Sequence, residues 1–142
     1  MKIAGSHKLP FPPGKSYEML QDPDVLARAI PGCESLEKIG ENEYRMKMKM
    51  ALAAVSGAFE GKVRIADQSA PSSFRLVVEG AGKIGFVKGE GLLKITPDGE
   101  GSDVAYDGDV QVGGTIAAVG QRLIDVTSKA MIKKFFEKLA GS

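Results

Sequence analysis

Histidine and cysteine often serve as general base, nucleophile or metal ligand, and this sequence contains one of each, His7 and Cys33. A nucleophilic cysteine needs a base held beside it, and the spacing of these two residues provides none. A zinc site needs about four such ligands, so we expect no catalytic residues, no metal and no cofactor. We interpret Cys33 as a turn or packing residue. His7 is interpreted as an interior or rim residue, with ligand contact as the alternative.

Glycines at residues 80–85, "GAGKIG", match the G-x-G-x-x-G pattern of dinucleotide-binding loops. That chemistry requires a helix directly after the glycines, because the helix N-terminus binds the pyrophosphate. The residues that follow, "FVKGEGLLKI", alternate like a strand. The segment therefore predicts a glycine-rich hairpin or bulge, and not a nucleotide site.

Three further polar side chains, Tyr44, Tyr106 and Thr127, share the predicted inward face of His7. They form a thin set for acid–base chemistry in a pocket. We therefore predict a protein that is not an enzyme, with a cyclase or hydrolase type of enzyme as an alternative.

The composition is that of an ordinary globular domain: 142 residues, 43% hydrophobic and 26% charged, with a net charge of +1. This length predicts one domain over residues 1–142, and so small a net charge argues against nucleic acid as a partner. The sequence has neither the apolar core of a signal peptide nor an apolar run of about 18 residues. We predict a cytoplasmic location, with peripheral contact at the inner face of the cell membrane as an alternative.

Hydrophobic periodicity divides the chain into strands and helices. Residues 2–9 predict a strand, and two short helices follow at 15–22 and 23–30. Residues 114–140 have helical periodicity. Consecutive strands joined by short turns form an antiparallel meander, so the sequence predicts an α+β fold with a seven-stranded curved sheet around the C-terminal helix. The six strands between the helices are predicted at 34–39, 43–53, 57–67, 73–81, 86–96 and 103–112.

The strand predicted at 43–53 has methionines at alternate positions on its apolar face. Its other face carries Arg45, Lys47 and Lys49. Methionine is flexible and suits surfaces that adapt to variable partners. A single helix about 40 Å long would not fill so large a sheet, which favours a cavity over a solid core. The alternative is a filled core in an adaptor protein that acts through its surface. The residues predicted to line the cavity are Tyr44, Met46, Met48, Met50, Phe59, Val63, Phe74, Leu76, Tyr106, Ile116, Gly120, Leu123 and Thr127.

Small residues support the same interpretation. Gly61 and Gly108 fall on inward strand positions, and Gly120, Thr127 and Ala130 fall on the inward face of the predicted helix. Larger side chains would be expected at these positions if the interior were packed full.

The connection "ALAAVSG" at 51–57 is apolar where polar turn residues are usual. Leu52 and Val55 are its largest side chains, and they predict contact with a membrane, a partner subunit or the pocket entrance. The alternative is that the connection packs against a neighbouring element. The basic row opposite the methionines is interpreted as a solvated sheet face, with docking to an acidic partner or anionic lipid as its alternative.

The strand order resembles the helix-grip fold of the START-like (SRPBCC) superfamily. Within it, residues 22–44, 59–65, 104–114 and 119–125 are similar to the CoxG family of carbon monoxide dehydrogenase subunits, and "IPGCESLE" at 30–37 is the most specific element. The resemblance implies an accessory protein of a molybdenum hydroxylase, acting in maturation or membrane association, without a shared catalytic set. We predict that it binds a lipid or quinone-like molecule between the sheet and the C-terminal helix.

Overall fold

The computed structural model describes residues 1–52 and 55–141, apart from the side chains of Leu52 and Val55. Within these residues, seven strands form one sheet in which all neighbours are antiparallel. The strands are β1 (Lys2–Leu9), β2 (Cys33–Gly40), β3 (Glu43–Leu52), β4 (Val55–Ser69), β5 (Ser73–Gly82), β6 (Gly85–Asp98) and β7 (Gly101–Gly113). The helices are α1 (Pro13–Met19), α2 (Pro23–Ala29) and α3 (Gln121–Ala140), and a 3₁₀ turn at Thr115–Val119 precedes α3.

The strands lie in the order β1-β7-β6-β5-β4-β3-β2. Short turns place β2 to β7 side by side in chain order, because a short connection can join only antiparallel neighbours. β1 is separated from β2 by α1 and α2, and it completes the sheet beside β7. α3 packs against β1 and α2. The predicted α+β helix-grip fold is confirmed.

Asp22 and Pro23 set the start of α2. The Asp22 carboxylate accepts a hydrogen bond from the backbone N–H of Asp24 at 2.9 Å, which satisfies a donor that the first helical turn leaves unpaired. Pro23 occupies the first helical turn, where its missing N–H costs nothing. The two short predicted helices are therefore present, and α2 packs on β2.

Two buried serines attach α1 to β7. Ser16 and Ser102 are both fully buried, and their hydroxyls lie 3.2 Å apart. Both donate to the backbone carbonyl of Phe11, at 3.1 Å from Ser16 and 2.5 Å from Ser102. Because each buried hydroxyl has a partner, neither carries the cost of an unpaired polar group. The network fixes α1 over one end of the sheet.

The alternation predicted for β3 is observed. Tyr44, Met46 and Met48 are buried on the inner face, whereas Arg45 and Lys47 are exposed on the outer face. The outer row is partly neutralised, since the Arg45 side chain lies 4.0 Å from a Glu60 carboxylate oxygen. Exposed pairs of this kind contribute little to stability. The structure therefore agrees with a solvated outer sheet face.

The "GAGKIG" segment forms the hairpin between β5 and β6, as predicted. Gly82 pairs with Gly85, and a strand follows instead of a helix. Gly85 has a φ of 134°, a conformation that residues with a side chain rarely adopt.

Candidate ligand-binding site

Two chambers lie between the inner face of the sheet and the helices. The first, which we call the α2 chamber, has a volume of about 260 Å³. It extends from the end of α2 and the turn at Pro31 to the middle of the sheet. Its lining consists of Leu20, Leu26, Ile30, Pro31, Leu36, Met46, Val63, Phe74, Leu76, Val78, Leu93, Met131, Ile132 and Phe135.

The second, which we call the glycine chamber, also has a volume of about 260 Å³. It lies against the inner face of β6, β7 and β1, below the C-terminal half of α3. Its lining consists of Ile3, Leu76, Val78, Val87, Gly89, Glu90, Gly91, Leu93, Tyr106, Asp107, Gly108, Asp109, Val110, Ile132, Phe135 and Phe136.

The two chambers share one wall. Leu76 and Val78 of β5, Leu93 of β6, and Ile132 and Phe135 of α3 line both of them. All five side chains are only partly buried, although they face the interior. Apolar groups left accessible inside a domain are typical of a binding cavity. The two chambers therefore adjoin each other at these side chains, and we refer to the pair as the cavity.

The surface of both chambers is almost entirely apolar. Glu90, Asp107 and Asp109 are the charged residues that border the glycine chamber, and all three are exposed on outward-facing strand positions. Of the polar residues predicted to face inward, only Tyr106 lines either chamber. Such a cavity favours ligands that bury hydrocarbon surface, because an ionised group would lose its hydration without a compensating partner.

Several residues predicted from the sequence to contact a ligand lie in this cavity. Met46, Val63 and Phe74 line the α2 chamber, Tyr106 lines the glycine chamber, and Leu76 lines both. Four strands, β3 to β5 and β7, supply these side chains. Their contact with a ligand stays a prediction.

The other predicted residues lie outside both chambers. Tyr44, Met48, Phe59 and Ile116 are buried in the core, where they are packed instead of lining space. The remaining four are half-buried or exposed: Met50, Leu123 and Thr127 are half-buried, and Gly120 is exposed directly before α3.

Sequence analysis missed the contribution of β6 and of the second half of α3. Val87, Gly89, Gly91 and Leu93 alternate along β6 and line the glycine chamber. That alternation was a usable signal, since it has the same period of two as β3. The residues missed on α3 are Met131, Ile132, Phe135 and Phe136.

Gly61 and Gly108 do not enlarge the cavity in the way that their inward positions suggested. A Cβ atom on Gly61 would collide with the Glu79 carbonyl oxygen, and one on Gly108 would lie 2.6 Å from the Glu90 carbonyl oxygen. Glycine is needed there because the backbones of adjacent strands approach closely.

His7 is part of an aromatic stack at the edge of the glycine chamber. Its ring lies 4.7 Å from the Phe136 ring and 6.1 Å from the Tyr106 ring, nearly parallel to both. The imidazole is half-buried. It joins β1 to α3 by packing, in agreement with an interior or rim position.

Cys33 lies at the start of β2, outside both chambers. Burial raises the pKa of the Cys33 thiol, and the nearby Glu34 carboxylate adds to the increase. The thiol therefore stays protonated at neutral pH, whereas a nucleophile acts as the thiolate. We expect iodoacetamide to alkylate Cys33 more slowly than free cysteine at pH 7, as measured by mass spectrometry. Alkylation faster than free cysteine would contradict this assignment and reopen a nucleophilic role.

Three predictions from the sequence, on the contact site, on metal ligands and on membrane spans, can be compared with the structure only over the described residues. The side chains of Leu52 and Val55 lie outside the described residues, so the predicted contact site is not placed. Over residues 1–52 and 55–141, no three potential metal-ligand side chains are grouped together. In the same part of the chain, no helix has the length and hydropathy that a membrane span requires.

An antiparallel sheet that grips a long helix, with an apolar cavity between them, defines a protein of the helix-grip fold. Comparison with protein families agrees: the model of the CoxG family, which takes its name from a subunit of carbon monoxide dehydrogenase, matches residues 5–142. The chain belongs to the CoxG family.

Solved structures show the same fold. A conserved protein from Geobacillus kaustophilus is 34% identical, with a TM-score of 0.95 over 99% of this chain and 93% of that one. A START superfamily protein from Mycobacterium smegmatis is 11% identical, with a TM-score of 0.75 over 99% and 94%. A STAR-related lipid transfer protein from Xanthomonas axonopodis is 16% identical, with a TM-score of 0.66 over 97% and 85%. None of the curated proteins matches the sequence.

Proposed function

We propose that this protein binds an apolar small molecule between its sheet and α3, and that it serves a molybdenum hydroxylase of the carbon monoxide dehydrogenase type as a non-catalytic accessory factor. The observation that carries the first part is the apolar cavity, in which side chains such as Leu76 and Leu93 face inward but remain partly accessible. The accessory role is supported by membership of the CoxG family.

The driving force for binding is the transfer of apolar ligand surface from water, at about 25 cal/mol per Å². The cavity surface presents almost no polar atoms that would need to be desolvated, so little of that gain is lost. A lipid or an isoprenoid quinone is the ligand class we propose. A quinone would connect a redox enzyme to an electron pool in the membrane.

Peripheral contact with the membrane or with a hydroxylase subunit is the second part of the proposal. We assign it to the apolar segment at residues 51–57, which includes the end of β3 and the start of β4, because its sequence is apolar where residues near a strand-to-strand turn are usually polar. Membership of the CoxG family supports the same assignment, since the family is named for one component of an enzyme complex.

Native mass spectrometry of the purified protein tests the binding function. We expect a fraction of the protein to carry one noncovalent small molecule, which organic solvent releases for identification. Delipidated protein should then bind Nile red saturably with a stoichiometry of one. A protein that carries no ligand and binds no Nile red would contradict the binding function, whereas failure of a tagged chain to retain a hydroxylase subunit would contradict only the accessory role.

A further inference from the structure

Two glycines of β6 form part of the floor of the glycine chamber. The inward positions of β6 run from Val87 through Gly89 and Gly91 to Leu93. Two consecutive inward positions therefore carry no side chain, and both line the chamber. Together with Gly108 of β7, these two residues leave the glycine chamber without side chains over this part of the sheet.

The backbone does not require glycine at either position. A Cβ atom on Gly91 would lie 3.5 Å from the Asp107 carbonyl oxygen, and one on Gly89 would lie 3.7 Å from the Asp109 carbonyl oxygen. These are ordinary van der Waals distances. Gly108, directly opposite Gly91, has no such room. Because glycine weakens a strand interior, its presence at two positions that would accept a side chain indicates that the empty space itself is used.

The cavity is elongated across the sheet. On the sheet, the α2 chamber begins at Leu36 of β2 and the glycine chamber ends at Ile3 of β1, with β3, β4, β5, β6 and β7 between them. Six spacings of about 4.8 Å between neighbouring strands give a path of about 29 Å along the inner face. A compact ligand would fill one chamber only, whereas a chain-like ligand would follow the shared wall through both.

We propose that the ligand carries an elongated apolar chain that lies across the inner face of the sheet through both chambers, and that Gly89 and Gly91 set the length of chain that the protein accepts. This inference rests on the proposed binding function. A side chain at either glycine would narrow the glycine chamber on β6, two strands before the path ends at β1, and would leave the α2 chamber unchanged. Such a side chain should therefore weaken the binding of ligands with a long apolar chain and leave the binding of short ones unchanged.

The test uses a series of straight-chain fatty alcohols, from octanol to octadecanol, that displace Nile red from the delipidated protein. For the wild-type protein we expect affinity to increase with chain length until the path is filled. Gly91→Val should weaken binding of octadecanol about tenfold or more, while binding of octanol stays unchanged. Valine suits a strand, so the variant is expected to fold.

Gly80→Val is the matched control. Gly80 is an inward glycine of β5 with similar room, since its Cβ atom would lie 3.7 Å from the Glu60 carbonyl oxygen, but it lines neither chamber. Its chain-length profile should equal that of the wild-type protein. If Gly91→Val unfolds, Gly89→Ala adds a single methyl group and should shift the profile in the same direction.

The outcomes separate the inference from the proposed function. Wild-type protein that binds neither Nile red nor any alcohol would overturn both. Wild-type protein that binds the alcohols, with Gly91→Val weakening all lengths equally or none, would overturn the length-setting role alone. Selective loss of the long alcohols in Gly91→Val, and not in Gly80→Val, supports it.

Discussion

Replacement of Leu93 by tryptophan is expected to abolish binding of Nile red while the protein keeps nearly its full thermal stability. Leu93 lines both chambers and is only partly buried. The larger ring would enter existing space at the junction, so it should block both ends without straining the core. The expected loss of affinity is at least about tenfold, or 1.4 kcal/mol. Fluorescence titration and a melting curve on the same sample measure the two effects.

Leu92→Trp is the control for this substitution. Leu92 directly precedes Leu93 in β6 and faces the outer side of the sheet. It introduces the same ring at the same level of the strand, outside the cavity. We expect its binding to be normal. If the interior were filled, Leu93→Trp would overpack the core and lower the free energy of unfolding by about 1–3 kcal/mol. A stable Leu93→Trp protein with normal binding would show that Nile red binds elsewhere.

The strands of this fold could be predicted because each has a buried and a solvated face. Met46 and Val63 were placed correctly on the inner face from alternation alone, and both line the α2 chamber. Alternation does not reveal how tightly a face is packed. Met46 borders open space, whereas Met48, two residues further along the same face, lies outside both chambers in the core. That difference depends on where the helices cover the sheet.

The helical part of the lining could not be predicted for a related reason. The sequence predicted one continuous helix over 114–140, but Gly120 has a φ of 99° and separates a 3₁₀ turn from α3. This conformation breaks the periodicity that would place Ile116 and Leu123 on one face. Ala130, predicted to face inward, is exposed. The cavity lies under the C-terminal half of α3, from which Ile132 and Phe135 line both chambers.

The sequence also does not distinguish inward glycines that have room for a side chain from those that do not. Gly61 and Gly91 look alike in an alternating pattern, yet only Gly91 has room for a side chain. The distance between neighbouring strand backbones decides whether a glycine position has room for a side chain. That distance depends on the twist and curvature of the whole sheet. The sequence therefore predicts a cavity and four of the strands that face it, β3 to β5 and β7, but neither the contribution of β6 nor which glycines leave it open.

Truncation of Phe136 is expected to cost the protein about 3–5 kcal/mol of stability, the usual loss when a buried phenylalanine becomes alanine. Phe136 is 4% exposed, stacks on His7 at 4.7 Å, and contacts the edge of the Phe135 ring at 5.2 Å. It is therefore a main contact between α3 and β1. Since a domain of this kind is stable by only about 5–15 kcal/mol, Phe136→Ala should lower the melting temperature strongly, as measured by circular dichroism.

Phe135→Ala provides the comparison, because Phe135 is the adjacent residue of α3 but lines both chambers and is only partly buried. Its ring borders both chambers, whereas the Phe136 ring borders the glycine chamber alone. Because Phe135 also buries less apolar area than Phe136, its removal should cost less stability. Binding of Nile red should weaken instead, since one wall of both chambers is lost. Chemical denaturation separates the two variants by their free energies of unfolding. Equal losses of stability at the two positions, with normal binding of Nile red by Phe135→Ala, would contradict the assignment of Phe135 to the wall of both chambers.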